Sequence, residues 1–179
     1  MWYPVSDTVG TEPIGLDEAE AQVMSSEGDF HVSLDMALNS ARSQAEQYCN
    51  RQFALHDMVW RCDSFADFAR LPAAPAVEIE SITYTDVDGA VQTLAAEVYE
   101  LRADGLDPSI ALQHGETWPA IRTGSRITVT GTFGGDVPPD VRHAMLIMIA
   151  DAFGVRESAA RPAFTTVDAL LANHRRGAW

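Results

Sequence analysis

The chain has no lysine. All 12 of its basic residues are arginine, set against 26 acidic residues, and the formal net charge is −14. A Walker A phosphate loop needs its lysine, and so does a Schiff-base enzyme, so both chemistries are excluded. The charge also argues against tight binding to a phosphate backbone, which runs on lysine and arginine. Cysteine is scarce. Cys49 and Cys62 make no CxxC pair, so free buried thiols and a reducing compartment are expected. No apolar run approaches the ~20 residues of a membrane span. The opening MWYPVSDTVGTEP has neither a basic region nor an apolar core, so it is not expected to act as a secretory signal. Internal repeats and low-complexity tracts are missing as well.

What is present describes a globular chain. It has 179 residues, 46% of them hydrophobic and 21% charged. That fits one ordinary domain rather than a disordered or fibrous one. A chain of this size buries roughly 70% of its unfolded surface and needs no disulfide staples.

Residues 1–14 carry Pro4, Gly10 and Pro13 and read as an irregular arm. Leu16, Ala19 and Val23 recur at helical spacing, with Asp17 and Glu18 in the first turn, where the helix dipole favours negative charge. After the break SSEGD, Phe30, Leu34, Ala37, Leu38, Ala41, Ala45 and Tyr48 step by three and four. They predict one long amphipathic helix, with Asp29 as N-cap and Asn50 as stop. The period then changes. Met58, Trp60 and Cys62 alternate as in a strand, and LPAAPA is a proline-broken connector. VEIESITYTD and AVQTL flank an Asp88-Gly89 hairpin turn, and EVYELR, SIAL and RITVTGTF read as further strands. The expected sheet is small and antiparallel, with about four or five strands.

Past the glycines of GTFGGD the helical period returns. Pro138 and Pro139 suit a helix start, and Val141, Met145, Met148, Ala152 and Phe153 share a face, widened by Ile147 and Ile149. RESAARPAF reads as a loop. Thr166 is the expected cap of a last helix bearing Val167, Leu170 and Leu171, and HRRGAW is a basic tail. The organisation predicts one α+β domain over residues 1–179. Helices from its N- and C-terminal parts form a bundle, residues 55–133 form a β-rich insertion, and residues 174–179 form a tail.

Candidate chemistry is thin. His31 and Asp35 share a helix face, but no third metal ligand stands at a recognisable distance, so a solvated pair is expected. Asp86–Gly89 (DVDG) has its glycine too early for a calcium loop and reads as a hairpin turn. Gly131, Gly134 and Gly135 lie between a strand and a helix, where a phosphate could sit, but without a GxGxxG they read as a connector. No GxSxG elbow exists, neither cysteine has a catalytic signature, and His143 reads as a surface or packing residue. No metal, cofactor or catalytic residue is assigned. A small hydrolase using Asp136 and Asp140 near the GGD loop is the enzymatic alternative, and a nucleic-acid-binding module is disfavoured by charge. Arg175, Arg176 and Trp179 pair basic and aromatic types that are enriched at protein-docking hot spots.

The order of motifs resembles the bacteriophage head–tail connector (adaptor) family of tailed phages and prophages. The residues that carry the resemblance are IGLDEAEAQV, the helix end AEQYCNRQF, and RLPAAPAVEIESITYTDVDGAVQTLAAEVYEL. ETWPAIR, RITVTGTFGG, DVPPDVRHAMLIMIADAFGVRES and ALLANHRRG follow, so the likeness spans residues 13–177. Gly15 departs from it, standing where Ser or Thr commonly caps the helix. The resemblance implies a non-enzymatic virion protein in the neck between capsid and tail. It implies rings of about twelve copies under a portal protein, extending the DNA channel and presenting a platform to a stopper or tail-terminator protein. DNA would pass without specific binding, and an acidic lumen would repel it. The alternative is another neck or tail-completion protein. The portal-docking residues expected are Leu170, Leu171, His174, Arg175, Arg176 and Trp179. The N-terminal arm, the GGD loop and the tail are the segments expected to order on docking, and deletion of 174–179 is expected to leave the monomer folded.

Overall fold

A computed structural model describes residues 2–4, 10–23, 31–154 and 165–177. The chain separates into two compact units. One takes Thr11–Ala54 and Gly135–Trp179 and is helical; the other takes Met1–Gly10 and Leu55–Gly134 and carries the strands. The fold is α+β, with the antiparallel strands after the first inserted between the N- and C-terminal helices.

In the helical unit, α1 (Leu16–Val23) and α2 (His31–Cys49) form where the apolar spacing places them. Leu34, Leu38, Ala41, Ala45 and Cys49 bury one face of α2, and the small alanines let α3 (Pro139–Gly154) pack closely. Asn50 ends α2 in the left-handed conformation at φ 52°, as its short polar side chain allows. Asp29 and Phe30 lie outside the described residues, as does RESAARPAF. On α3, Val141, Ala144, Met145 and Ile149 are buried, whereas Ala152 is exposed rather than part of the face. The last helix, α4 (Thr166–Leu171), is capped by Thr165, not Thr166. The Asp168 amide donates to Thr165 Oγ1 at 3.2 Å, and the Thr165 amide donates to Asp168 Oδ2 at 2.7 Å. This reciprocal arrangement needs the acid three residues after the cap, which only Thr165 supplies.

In the sheet unit, five antiparallel strands run in the order β1-β2-β7-β3-β4. They are β1 (Trp2–Pro4), β2 (His56–Cys62), β3 (Ala76–Thr85), β4 (Val91–Thr93) and β7 (Ile127–Phe133). The irregular reading of residues 1–14 is corrected at Trp2–Pro4, which pairs with Met58–Trp60. EVYELR and SIAL do not join this sheet. Their strands β5 (Tyr99–Arg102) and β6 (Ser109–Leu112) form a separate two-stranded ribbon. Alternation sends Met58, Trp60, Cys62, Ile127, Val129, Phe133 and Ile82 to the core face, with Phe65, Phe68 and Ile110. Trp118 stacks on Phe65 with ring centroids 4.7 Å apart. The expected hairpin is present: Gly89 takes φ 91°, and the Asp86 carboxylate accepts the amides of Asp88 and Ala90 at 3.0 and 2.9 Å.

Candidate functional site

The expected docking residues gather at the C-terminal end of the helical unit. Leu171 and Arg176 are each 2% exposed, so both belong to the unit's interior and not to a free tail. The Arg176 amide donates to the Cys49 carbonyl at 2.8 Å, and the Cys49 thiol lies 3.6 Å from the Leu171 carbonyl. The Tyr48 hydroxyl donates to the Asp168 carbonyl at 3.4 Å. These bonds seat α4 and the segment after it on the end of α2. Leu170 is half-buried. Arg175 is exposed, its guanidinium 5.6 Å from the centre of the Tyr48 ring. Trp179 lies outside the described residues. The tail is therefore fixed as far as its description goes. Deleting 174–179 would remove the buried Arg176 and the His174–Asp140 hydrogen bond from the unit itself.

His174 Nε2 sits 2.6 Å from Asp140 Oδ2 on the first turn of α3. That hydrogen bond is the main cause holding the Asp140 carboxyl below its ordinary value. The pair clasps the chain after α4 to the start of α3. A histidine beside an acid suggests a base in search of a nucleophile, and Cys49 is electrostatically coupled to Asp140. But Cys49 is buried, and burial pushes its thiol up to about 11. Cys62 is pushed up to about 12 by the same cause. Neither thiol supplies thiolate at neutral pH.

The enzymatic alternative meets a different obstacle, since its acids already have partners. Asp140 is engaged by His174, and Asp136 faces Arg51 at 3.6 Å. The glycine connector is committed too: the Gly134 amide donates to the Pro75 carbonyl at 2.9 Å and the Gly135 amide to the Phe53 carbonyl at 3.2 Å. Those amides are not free to cradle an anion, and the loop is fixed rather than loose. The side chain of His31 is not described, and His143 is exposed. Among the described residues no group of three or more His, Cys, Asp and Glu is placed to hold a metal ion. No described helix is long and apolar enough to cross a membrane.

Sequence reasoning missed a polar clamp. Glu46 Oε1 accepts the amides of Phe53 and Ala54 at 2.8 and 3.2 Å. Arg42 reaches Glu46 at 3.5 Å and Glu12 at 3.0 Å. The i, i+4 spacing of Arg42 and Glu46 was the visible signal. On α3, Arg142 holds α1 through Glu18, with Nε 2.8 Å from Oε1, and donates to the Pro13 carbonyl at 2.9 Å. A cleft of about 810 Å³ opens beside this end of the unit, between Gln44 and Tyr48 on α2, Ile147 and Asp151 on α3, and Val167 on α4. Among the described residues the arrangement offers surfaces and clasps.

No family model and no curated protein matches the chain. Its fold is shared with solved structures. A chain from the neck of an empty GTA particle, computed with C6 symmetry, superposes with a TM-score of 0.82 at 20% identity, covering 100% of this chain and 97% of the other. A chain from the virion of the native gene transfer agent (GTA) particle gives 0.82 at 21% identity over the same shares. A chain from the neck of the native particle, computed with C12 symmetry, gives 0.79 at 22% identity, again over 100% and 97%. At such identities the likeness shows the fold.

Proposed function

We propose that this chain is a structural subunit of the neck of a phage-like particle, an adaptor of the head–tail junction. About twelve copies close into a ring by a heterologous contact. The ring seats under a portal protein, extends the DNA channel and offers its far side to a stopper or tail-terminator protein. The observation that supports this reading is the match, end to end, to chains of gene transfer agent necks and virions. The charge agrees with it. A subunit of net charge −14 without lysine offers DNA a repelling wall rather than a grip.

The portal contact belongs at the C-terminal end of the helical unit. Arg175 is an exposed cation there, Leu170 is half-buried, and Trp179 completes the proposed docking set. Leu171, His174 and Arg176 act from behind, holding that end in place. The test combines light scattering with capture on an immobilised portal ring. The chain should bind portal in ring stoichiometry. Arg175→Glu and removal of residues 178–179 should each weaken capture without lowering the melting temperature. Undiminished capture by both variants overturns the assignment of the contact. No binding to portal, but binding to a tail-side protein, assigns the chain to the alternative role of a neck or tail-completion factor.

A further inference from the structure

The chain contains two Asp–Gly steps, Asp88–Gly89 and Asp104–Gly105, and both lie in turns of the sheet unit. Such a step can rearrange on its own, because glycine sets no side chain beside the main-chain nitrogen that attacks the aspartate carboxyl carbon. The attack needs an amide that is not held elsewhere and room for the two groups to swing together. The fold gives these to one step and withholds them from the other.

Asp88–Gly89 is locked. The Gly89 amide donates to the Asp86 carbonyl at 3.1 Å, and the Asp86 amide to the Ala90 carbonyl at 2.9 Å. The Asp86 carboxylate accepts the amides of Asp88 and Ala90 and, at 2.9 Å, Gln92 Nε2. The Arg122 guanidinium lies over the turn, 3.5 Å from where a Cβ on Gly89 would stand. Asp104–Gly105 is open. It lies between β5 and β6, both residues are exposed, and Gly105 takes φ 75°. Among the described residues neither Asp104 nor Gly105 takes part in a hydrogen bond or an ion pair. Beyond its chain neighbours, nothing stands within 4 Å of a Cβ built on Gly105. The loop is fastened only outside this step. Arg102 pairs with Ser109 at its base, Arg70 Nε donates to Asp107 Oδ1 at 2.8 Å, and the Leu71 amide donates to the Pro108 carbonyl at 2.8 Å.

We propose that Asp104 is a site of spontaneous covalent modification, its conversion to isoaspartate, and that the hairpin turn protects Asp88 from the same reaction. The Gly105 amide nitrogen attacks Cγ of the neutral Asp104 carboxyl. A nitrogen–carbon bond forms, and the carboxyl hydroxyl leaves with the amide proton as water. The product is a five-membered succinimide. Water then adds to the ring carbonyl that was the main-chain carbonyl of Asp104, and the bond from that carbon to the nitrogen breaks. The chain now runs through Cβ and Cγ, one methylene longer, with a carboxylate on Cα. One water leaves and one returns, so the mass is unchanged and no oxidant, reductant or cofactor enters. The inference stands apart from the neck reading. It marks the tip of the β5–β6 ribbon as the part of the sheet unit that changes covalently first as the protein ages, in keeping with the freedom of exposed loop tips.

The test ages the full chain for several weeks in warm, mildly acidic buffer, both folded and in urea. Fragmentation of its peptides by electron transfer assigns isoaspartate to a position. Methyl transfer from labelled S-adenosylmethionine by an isoaspartyl methyltransferase counts it. In urea the two steps should convert at similar rates, because turn and loop are both gone. In the folded chain Asp104 should convert, and Asp88 roughly tenfold more slowly, since its ring closes only when the hydrogen bonds of the turn open. Asp104→Glu, whose carboxyl would have to close a larger ring, should remove the folded-chain signal with circular dichroism unchanged. Equal rates at the two sites in the folded chain, or a faster rate at Asp88, overturn the proposal. So does a folded chain that stays unmodified at Asp104, whatever the urea sample shows. A tenfold difference that persists in urea overturns the protective role of the turn.

Discussion

At the scale of single residues, burial decides what the titratable groups can do. Cys49 and Cys62 are buried, with thiols raised to about 11 and about 12. Iodoacetamide at neutral pH should therefore modify neither in the folded protein and both after denaturation; rapid labelling of the native chain would contradict their burial. The His174–Asp140 clasp is different, because it works through a charge. Asp140 has its carboxyl lowered mainly by the hydrogen bond from His174. A lowered carboxyl contributes stability above the unfolded value and loses it as pH falls through the folded one. Asp140→Asn should thus lower stability at neutral pH by about 1 kcal/mol, a small loss because the pair is part-exposed and screened. The difference should shrink as pH falls below the ordinary carboxyl value of ~4 and vanish below the lowered folded value. Paired melting curves at the two pH values check both parts. The clasp was not legible in advance, and of the clamp only the i, i+4 spacing of Arg42 and Glu46 was. His174 and Asp140 stand far apart in sequence, and a basic tail reads as exposed because charged side chains rarely go inside unpaired. Arg176 is buried, and its amide donates to the Cys49 carbonyl.

At the scale of elements, periodicity carried most of the fold. The steps of three and four from Leu34 to Tyr48 became α2, and Met58, Trp60 and Cys62 became the inward residues of β2. Periodicity names a strand but not its partner. EVYELR and SIAL therefore read as members of one sheet when they form their own ribbon. Trp2–Pro4 escaped because three residues ending in proline show no alternation, and an edge strand tolerates that proline. The α4 cap slipped by one residue because two threonines adjoin, and only the distance to Asp168 distinguishes them. One strand position permits no side chain at all. Gly131 sits in β7 between β2 and β3, and a Cβ there would lie 2.5 Å from the Glu78 carbonyl oxygen. That obstacle is backbone and cannot swing aside. Gly131→Ala should cost about 1–3 kcal/mol, from a register shift or a displaced β3. A melting temperature within error of the parent would show that the β3 irregularity around Glu78–Ser81 absorbs the methyl group.

At the scale of the whole molecule, the governing quantity is the charge. Each copy brings −14 to any assembly, and no lysine is present to offset it. The inserted sheet and the terminal helices were legible as units because composition and period change together at their borders. How copies meet was not, because an interface needs surfaces that fold brings together from distant segments. The outer side of α2, where Val32 and Met36 stand exposed and no acid or arginine lies, makes the opposite prediction from an ion-paired contact. Salt shortens the reach of electrostatics from about 10 Å at 0.1 M to about 3 Å at 1 M. An interface held by ion pairs would weaken over that range. One formed by the exposed Val32, Met36, Ser43 and Gln47 of α2 has no such pairs to lose, while the repulsion between its charged surroundings is screened. Self-association should therefore strengthen with salt, by roughly tenfold, the equivalent of about 1.4 kcal/mol. Sedimentation velocity at matched chain concentrations in low and high sodium chloride reads this directly. A rise in the assembled fraction places the contact where charge is absent, and a fall places it among the arginines and acids that flank that side of the helix.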